Sequence, residues 1–195
     1  MPQSRPRIYL AGPEVFLPNA RAVGVEKCRL AAEAGLEGAF PLDAQLEIAH
    51  LPPAEQARAI SLANEGLMRS CDGIVANLTP FRGVSMDSGT AFEVGFMQAL
   101  GRPMAGYTNV SAGYTERAHA FRSRGPASMD GDRADLEIEA FGLAENLMIE
   151  VAIVESGGRV VRRDVPAGAE LTDLAAFVEC LADIARVLAS KPRRV

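Results

Sequence analysis

The chain has only two histidines and three cysteines in 195 residues, no excess of positive charge and no long apolar run, and each shortage removes a class of function. His50 and His119 stand far apart in the sequence, and neither has the context of an activated serine. That argues against a His-based metal site and against a Ser-His triad. Cys28, Cys71 and Cys180 are odd in number and widely spaced, with no metal knuckle or redox pair among them, so reduced and mostly buried thiols are expected. A net charge of −5 and a pI near 5.2 do not suit a surface built for a phosphate backbone. The short basic clusters Arg162-Arg163 and Lys191 to Arg194 read as solvated surface. No apolar run is long enough for a bilayer span, and Met1 to Arg7 lacks the hydrophobic stretch of a secretory signal, so a cytoplasmic location is the expectation. Neither a dinucleotide fingerprint nor a phosphate-cradling Gly-x-x-x-x-Gly-Lys-Ser/Thr loop occurs, so no nicotinamide or nucleoside triphosphate cofactor is indicated.

What is present fits one globular domain: 48% apolar and 23% charged residues leave enough material for a substantial core. Arg7 to Ala11 is a short apolar run ended by Gly12-Pro13 and reads as a buried first strand. A helix is expected from Asn19 to Ala34, with Val23, Cys28, Ala31 and Ala34 on its apolar side and Gly35 as its stop. Gly38 to Leu42 reads as a second strand, Pro52-Pro53 to about Ser70 as a helix, Asp72 to Leu78 as a third strand and Pro103 to Tyr107 as a fourth. Such alternation predicts an α/β fold: a single-domain, doubly wound, mostly parallel sheet of the Rossmann or flavodoxin-like kind, with helices on both faces. Thr108 to Glu139 is poor in apolar residues and is expected to be a long loop, either a lid or an interface element. Leu143 to Glu155 reads as a helix and Arg159 to Arg163 as a last strand. The stripe of Leu174, Phe177, Val178, Leu181, Ile184, Ala185 and Leu188 marks a C-terminal helix over about 170–190, serving as core or as subunit contact.

The most informative segment is Asp87-Ser-Gly-Thr-Ala-Phe-Glu93, which follows the third strand and opens a helix. It places one carboxylate at the helix mouth and a second about a turn inside. The helix N-terminus favours negative charge, so Glu93 is expected to be ionised near neutral pH and available as a nucleophile. A plainer reading makes Asp87 or Ser88 an N-cap and Glu93 a solvated helix residue. In an open parallel sheet, ligands bind at the carboxyl ends of the strands where the strand order reverses. Tyr9 to Gly12, Pro41 to Gln45, Asp72 and Asp87 to Glu93 are expected to converge there. A tight group of carboxylates, a phenol and an amide would be costly as structure alone.

Five pieces in order, Ile8-Tyr-Leu-Ala-Gly-Pro13, Pro41-Leu-Asp-Ala-Gln45, Asn64 with Asp72, Asp87 to Gly95, and Asn146-Leu-Met148, resemble the nucleoside 2-deoxyribosyltransferase family across residues 8 to 148. The resemblance implies that Glu93 attacks C1′ of a deoxyribose and that Tyr9 orients its carboxylate. It implies that Asp72 and Asp87 contact the base and help deliver a proton to the departing nitrogen. Gln45 is similar to a base-contacting glutamine, Gly12 and Gly89 fall among the substrate-binding positions, and Asn146 matches an asparagine that reaches a neighbouring subunit's site. Phe16 lies near a position where relatives set an aromatic ring against the base, with Glu14-Val15 intervening. Each residue also has an ordinary reading: Tyr9 as a strand tyrosine, Asp72 as a turn residue before a strand, Gln45 as a loop amide and Asn146 as a helix cap. The family reading implies deoxynucleosides and free nucleobases as substrates, a role in nucleotide salvage, no cofactor, no metal, no membrane and no nucleic acid polymer, and a homo-oligomer with shared sites. Attack by a carboxylate and departure to a second base each invert C1′, so the transfer is expected to proceed with retention. Two alternatives stay open: a hydrolase of nucleoside 5′-monophosphates, in which relatives tend to have serine where Asp87 stands, and a non-catalytic nucleoside sensor.

Overall fold

The computed structural model describes residues 5–43, 47–123 and 136–190. Among these residues, five short strands form one parallel sheet: β1 (Arg7–Ala11), β2 (Glu37–Ala39), β3 (Gly73–Asn77), β4 (Met104–Thr108) and β5 (Val160–Arg162). Their order is β2-β1-β3-β4-β5, and every pairing is parallel. The chain moves outward from β1 to β2, then crosses back and builds away on the other side, so the order reverses between β1 and β3. The carboxyl ends of these two strands therefore frame the ligand crevice of a doubly wound sheet.

Alternation along the strands decides which helices cover which face. Ile8, Leu10, Val75, Ala105 and Tyr107 join one core cluster with Phe177, Leu181 and Ile184 of α6 (Ala175–Ser190) and Ala31 of α1 (Ala20–Glu33). Tyr9, Ala11, Ile74, Ala76 and Met104 point the other way, toward Val94 and Met97 of α3 (Ser88–Ala99) and Ile153 of α5 (Leu147–Glu155). The three interior strands β1, β3 and β4 are buried on both faces, which is why they read as unbroken apolar runs. A further helix, α2 (Pro53–Arg69), buries only Met68 and leaves Ile60 and Leu62 exposed.

Three expectations need correction. The segment 108–139 is not loop throughout, since α4 runs from Tyr114 to Ser123, held by Thr115 and Arg117 rather than by apolar burial. No residue of α4 is buried, so it left no hydrophobic period to read. The second strand ends at Ala39, because Pro41 starts a 3-10 turn through Asp43. Val178 lies outside the buried stripe of α6 and is exposed.

Glycine permits two close approaches at the sheet. A Cβ on Gly158 would stand 1.8 Å from the backbone carbonyl oxygen of Met104, whereas one on Gly106 would meet the side-chain tips of Ile153 and Leu78 at 2.8 and 2.9 Å. Backbone cannot rotate aside as a methyl can. Gly158→Ala is therefore expected to lower the melting temperature more than Gly106→Ala, whose overpacking should cost about 1–3 kcal/mol. Thermal unfolding of the two variants checks the order, and equal loss would contradict it.

Candidate active site

Tyr9 is at the centre of β1, fully buried, with its side chain on the α3 face. Its hydroxyl donates to Glu93 Oε1 at 2.5 Å. Burial, reinforced by the adjacent Glu93 charge, holds the phenol well above its ordinary pKa, so it stays a donor. Burial raises the Glu93 carboxyl to about 7; the hydrogen bond from Tyr9 opposes that rise, the Asp87 and Glu14 charges add to it, and Lys27 lowers it. Glu93 therefore ionises less readily than the expectation from the helix N-terminus held. Glu93 lies more than one turn inside α3, beyond the reach of the helix N-terminus, and desolvation decides instead.

Asp87 is the N-cap of α3, its Oδ2 accepting from Thr90 N at 3.0 Å and from Thr90 Oγ1 at 3.2 Å. Capping and charge coexist here, since the same carboxylate acts on Glu93. Gly89 is exposed beside it, and a Cβ there would stand 3.0 Å from Asp87 Oδ2. The loop that delivers Asp87 is pinned from below. Buried Glu145 accepts from Ser85 Oγ at 2.5 Å, Met86 N at 3.0 Å and Arg117 Nη2 at 3.2 Å. Arg117 Nε donates in turn to the Val84 carbonyl at 2.8 Å.

Across the crevice, Gly12 ends β1 and a 3-10 turn, Pro13–Phe16, follows. A side chain on Gly12 would collide with Glu14 Oε2, 1.9 Å from its Cβ position. Phe16 is 53% exposed and stacks on Phe81 of the loop after β3, with ring centroids 5.3 Å apart and planes inclined by 12°. The Arg82 guanidinium covers both rings, 4.9 Å from Phe16 and 4.6 Å from Phe81. Arg82 has a φ of 56°, a left-handed backbone that few non-glycine residues adopt. An aromatic and cationic rim thus stands at the mouth of the crevice, at the end where Asp87 caps α3.

One expected member of the crevice is placed elsewhere. Asp72 precedes β3 at the amino edge of the sheet, where its Oδ2 accepts from Arg7 N at 2.8 Å and its own amide donates to the Arg7 carbonyl. It is not at the carboxyl ends of the strands, because in a parallel sheet the residue leading into a strand lies opposite the ligand edge. Asn146 is the N-cap of α5: its Oδ1 accepts from Met148 N at 3.0 Å and its Nδ2 donates to Glu139 Oε1 at 2.7 Å. Gln45 lies outside the described residues.

Sequence reading missed Glu14, Lys27, Asn77, Phe81 and Tyr107. For Lys27 a signal existed, since it stands four residues from both Val23 and Ala31 on the apolar side of α1, where a buried cation needs a partner.

Residues 8–148 match the sequence profile described as nucleoside 2-deoxyribosyltransferase. The chain belongs to the nucleoside 2-deoxyribosyltransferase family. An uncharacterised protein of Schizosaccharomyces pombe is 36% identical over 174 residues, covering 82% of each chain. Among solved structures, a 2-deoxyribosyltransferase from Leishmania mexicana is 31% identical with a TM-score of 0.61, over 89% of this chain and 97% of that one. A conserved protein from Enterococcus faecalis, 21% identical with a TM-score of 0.56 over 91% and 98% of the two chains, shares the fold. Membership implies a nucleoside deoxyribosyltransferase-type enzyme, with nucleosides and nucleobases as its substrates. Among the described residues, no helix is long and apolar enough to cross a membrane.

The elevated Glu93 value has a consequence for stability. Below pH 4.5 both folded and unfolded chains hold the proton and the group contributes nothing. Between 4.5 and about 7 the unfolded chain gives up its proton first, so stability falls as pH rises; above 7 the penalty is complete. It amounts to about 3 kcal/mol. Glu93→Gln is therefore expected to melt higher than the parent at pH 8 and alike at pH 4. A gain that does not depend on pH would contradict this origin.

Proposed function

We propose that this member of the family transfers 2-deoxyribose between nucleobases through a covalent glycosyl ester on Glu93, with retention at C1′. The observation that carries the reading is the 2.5 Å contact between the Tyr9 hydroxyl and Glu93 Oε1, beside the crevice where the strand order reverses. A half-buried carboxylate held by a buried phenol is oriented and sparingly hydrated, which suits a group that must meet positive charge developing at C1′.

In the first half-reaction, a Glu93 oxygen bonds to C1′ as the C1′–N bond breaks and the electron pair leaves with the base. The departing nitrogen takes a proton. Asp87, at the mouth of α3, is assigned to base contact and to relaying that proton from water to the nitrogen; Asp72, at the far edge, is given no part in it. In the second half-reaction, the nitrogen of another base attacks C1′ from the opposite side, its proton returns through Asp87 to water, and Glu93 leaves as a carboxylate. Each step inverts C1′. Phe16 and Phe81 offer the base a stacking surface, and Gly12 and Gly89 keep the backbone low on either side of the crevice.

Arg82 at the rim favours one rival, hydrolysis of nucleoside 5′-monophosphates, because an exposed guanidinium suits a phosphate. The Asp87 charge beside Glu93 opposes it. Another feature supports a homo-oligomer. Met148 and Val151 are exposed on one side of α5, which packs on α3, where Phe92 is also exposed. Large apolar side chains grouped in this way mark a subunit contact, and we assign it to a second copy of this chain.

Incubation with a deoxynucleoside, with and without an acceptor base, is expected to give a new nucleoside only when the acceptor is present. A deoxyribosyl adduct should be found by mass spectrometry on the parent and not on Glu93→Ala. Release of base from a nucleoside 5′-monophosphate, with no transfer from free deoxynucleosides, would favour the rival. The acid limb of kcat/KM, which reports the free enzyme, should lie near pH 7, the value of the Glu93 carboxyl. It should move up in Tyr9→Phe, with kcat reduced about 10- to 100-fold through loss of a hydrogen bond to a charged group, and down in Asp87→Asn. Movement of both in one direction would refute the assignment. Met148→Glu combined with Val151→Glu is expected to reduce the mass measured by light scattering to that of the monomer; an unchanged mass would place the contact elsewhere.

A further inference from the structure

Beneath the turn that carries Phe16 lies an ion pair closed off from water. Glu14 and Lys27 are each 0% exposed, with Lys27 Nζ donating to Glu14 Oε1 at 2.8 Å. Such pairs are weak sources of stability, because the cost of stripping water from two charges offsets their attraction, and apolar replacements of similar volume are often neutral or better. The fold has no evident need of it, since the surrounding core already contains Tyr107, Phe177 and Leu10.

The geometry around Glu14 indicates what the pair does. Its Oε1 collects donors from three elements: Lys27 Nζ of α1, the Tyr107 hydroxyl of β4 at 2.8 Å, and Asn77 Nδ2 of β3 at 3.1 Å. Oε2 is buried without a hydrogen-bond partner and is tucked against Gly12, the residue that must lack a side chain for it to fit. Burial alone would raise the Glu14 carboxyl; the Lys27 charge, with the hydrogen bonds, outweighs that and lowers it, so the group is ionised. Lys27 is held in turn by the Phe177 ring, 4.8 Å from its Nζ. Glu14 itself is in the middle of the Pro13–Phe16 turn, so its carboxylate ties that turn to the sheet and to α1.

We propose that Glu14 and Lys27 are positioning residues: the buried pair fixes the turn after β1 and so holds the exposed Phe16 ring, stacked on Phe81, where the planar base of the donor nucleoside meets it. This rests on the reading of Phe16 as a base contact given above. The pair acts through Phe16, not on the reacting atoms, so its loss weakens donor binding more than it slows the bound complex.

The chain contains no tryptophan, so Phe16→Trp introduces a single indole reporter at the ring in question. In that background, Glu14→Leu combined with Lys27→Met removes both charges and the clamp while keeping apolar volume. The double replacement is expected to fold, with greater fast local depolarisation of the indole in time-resolved anisotropy. In the protein that keeps Phe16, the same double replacement should raise the donor KM ~10-fold or more, with a smaller change in kcat. Tyr107→Phe, which removes one donor to Oε1 and keeps the ring, should shift both readouts the same way by less, and it serves if the double replacement does not fold. Unchanged indole motion and unchanged donor KM would overturn the proposal. A looser indole in a protein whose parent turns over no deoxynucleoside would leave the clamp standing and refute the proposed activity instead.

Discussion

The contact between the Tyr9 hydroxyl and the Glu93 carboxylate joins residues 84 positions apart, and the rest of the site is arranged around it. It can form because β1 is an interior strand of the sheet, paired on both sides, with Tyr9 pointing into the layer between the sheet and α3. The same enclosure that makes the phenol a permanent donor raises the carboxyl, so orientation and desolvation arrive together. A more exposed Glu93 would ionise more readily and be held less well. The stability penalty that follows is the kind of local cost that functional sites carry and the remaining core offsets.

Charge elsewhere in the molecule is arranged with equal regard to geometry. The buried groups Glu14 and Glu145 stand on opposite sides of the crevice, one under the turn after β1, the other under the loop before α3. Each satisfies several donors from distant segments, and each has a cationic partner, Lys27 for the first and Arg117 for the second. Loops cannot be held by apolar burial without hiding backbone polar groups, so buried carboxylates that gather amides and hydroxyls are a physical substitute. Phe16 and Phe81 then project from two supported segments and meet over the opening.

The amino acid order alone determined the alternation of strands and helices, the parallel sheet, and the pairing of a capping Asp87 with an interior Glu93, because those features are written as local periodicity and turn chemistry. It did not reveal α4, whose residues are anchored by hydrogen bonds and none of which is buried. Asp72 reads from its neighbours as a turn residue and only by the family resemblance as a site acid, and the direction of β3 puts it at the amino edge, occupied by the Arg7 amide. Asn146 was legible as a helix cap, yet its second bond to Glu139 was not. Tertiary structure alone decided the protonation balance of Glu93 and the partnership of Glu14 with Lys27, Asn77 and Tyr107, since desolvation and long-range pairing depend on what the fold packs around a group and leave no trace in the residues beside it.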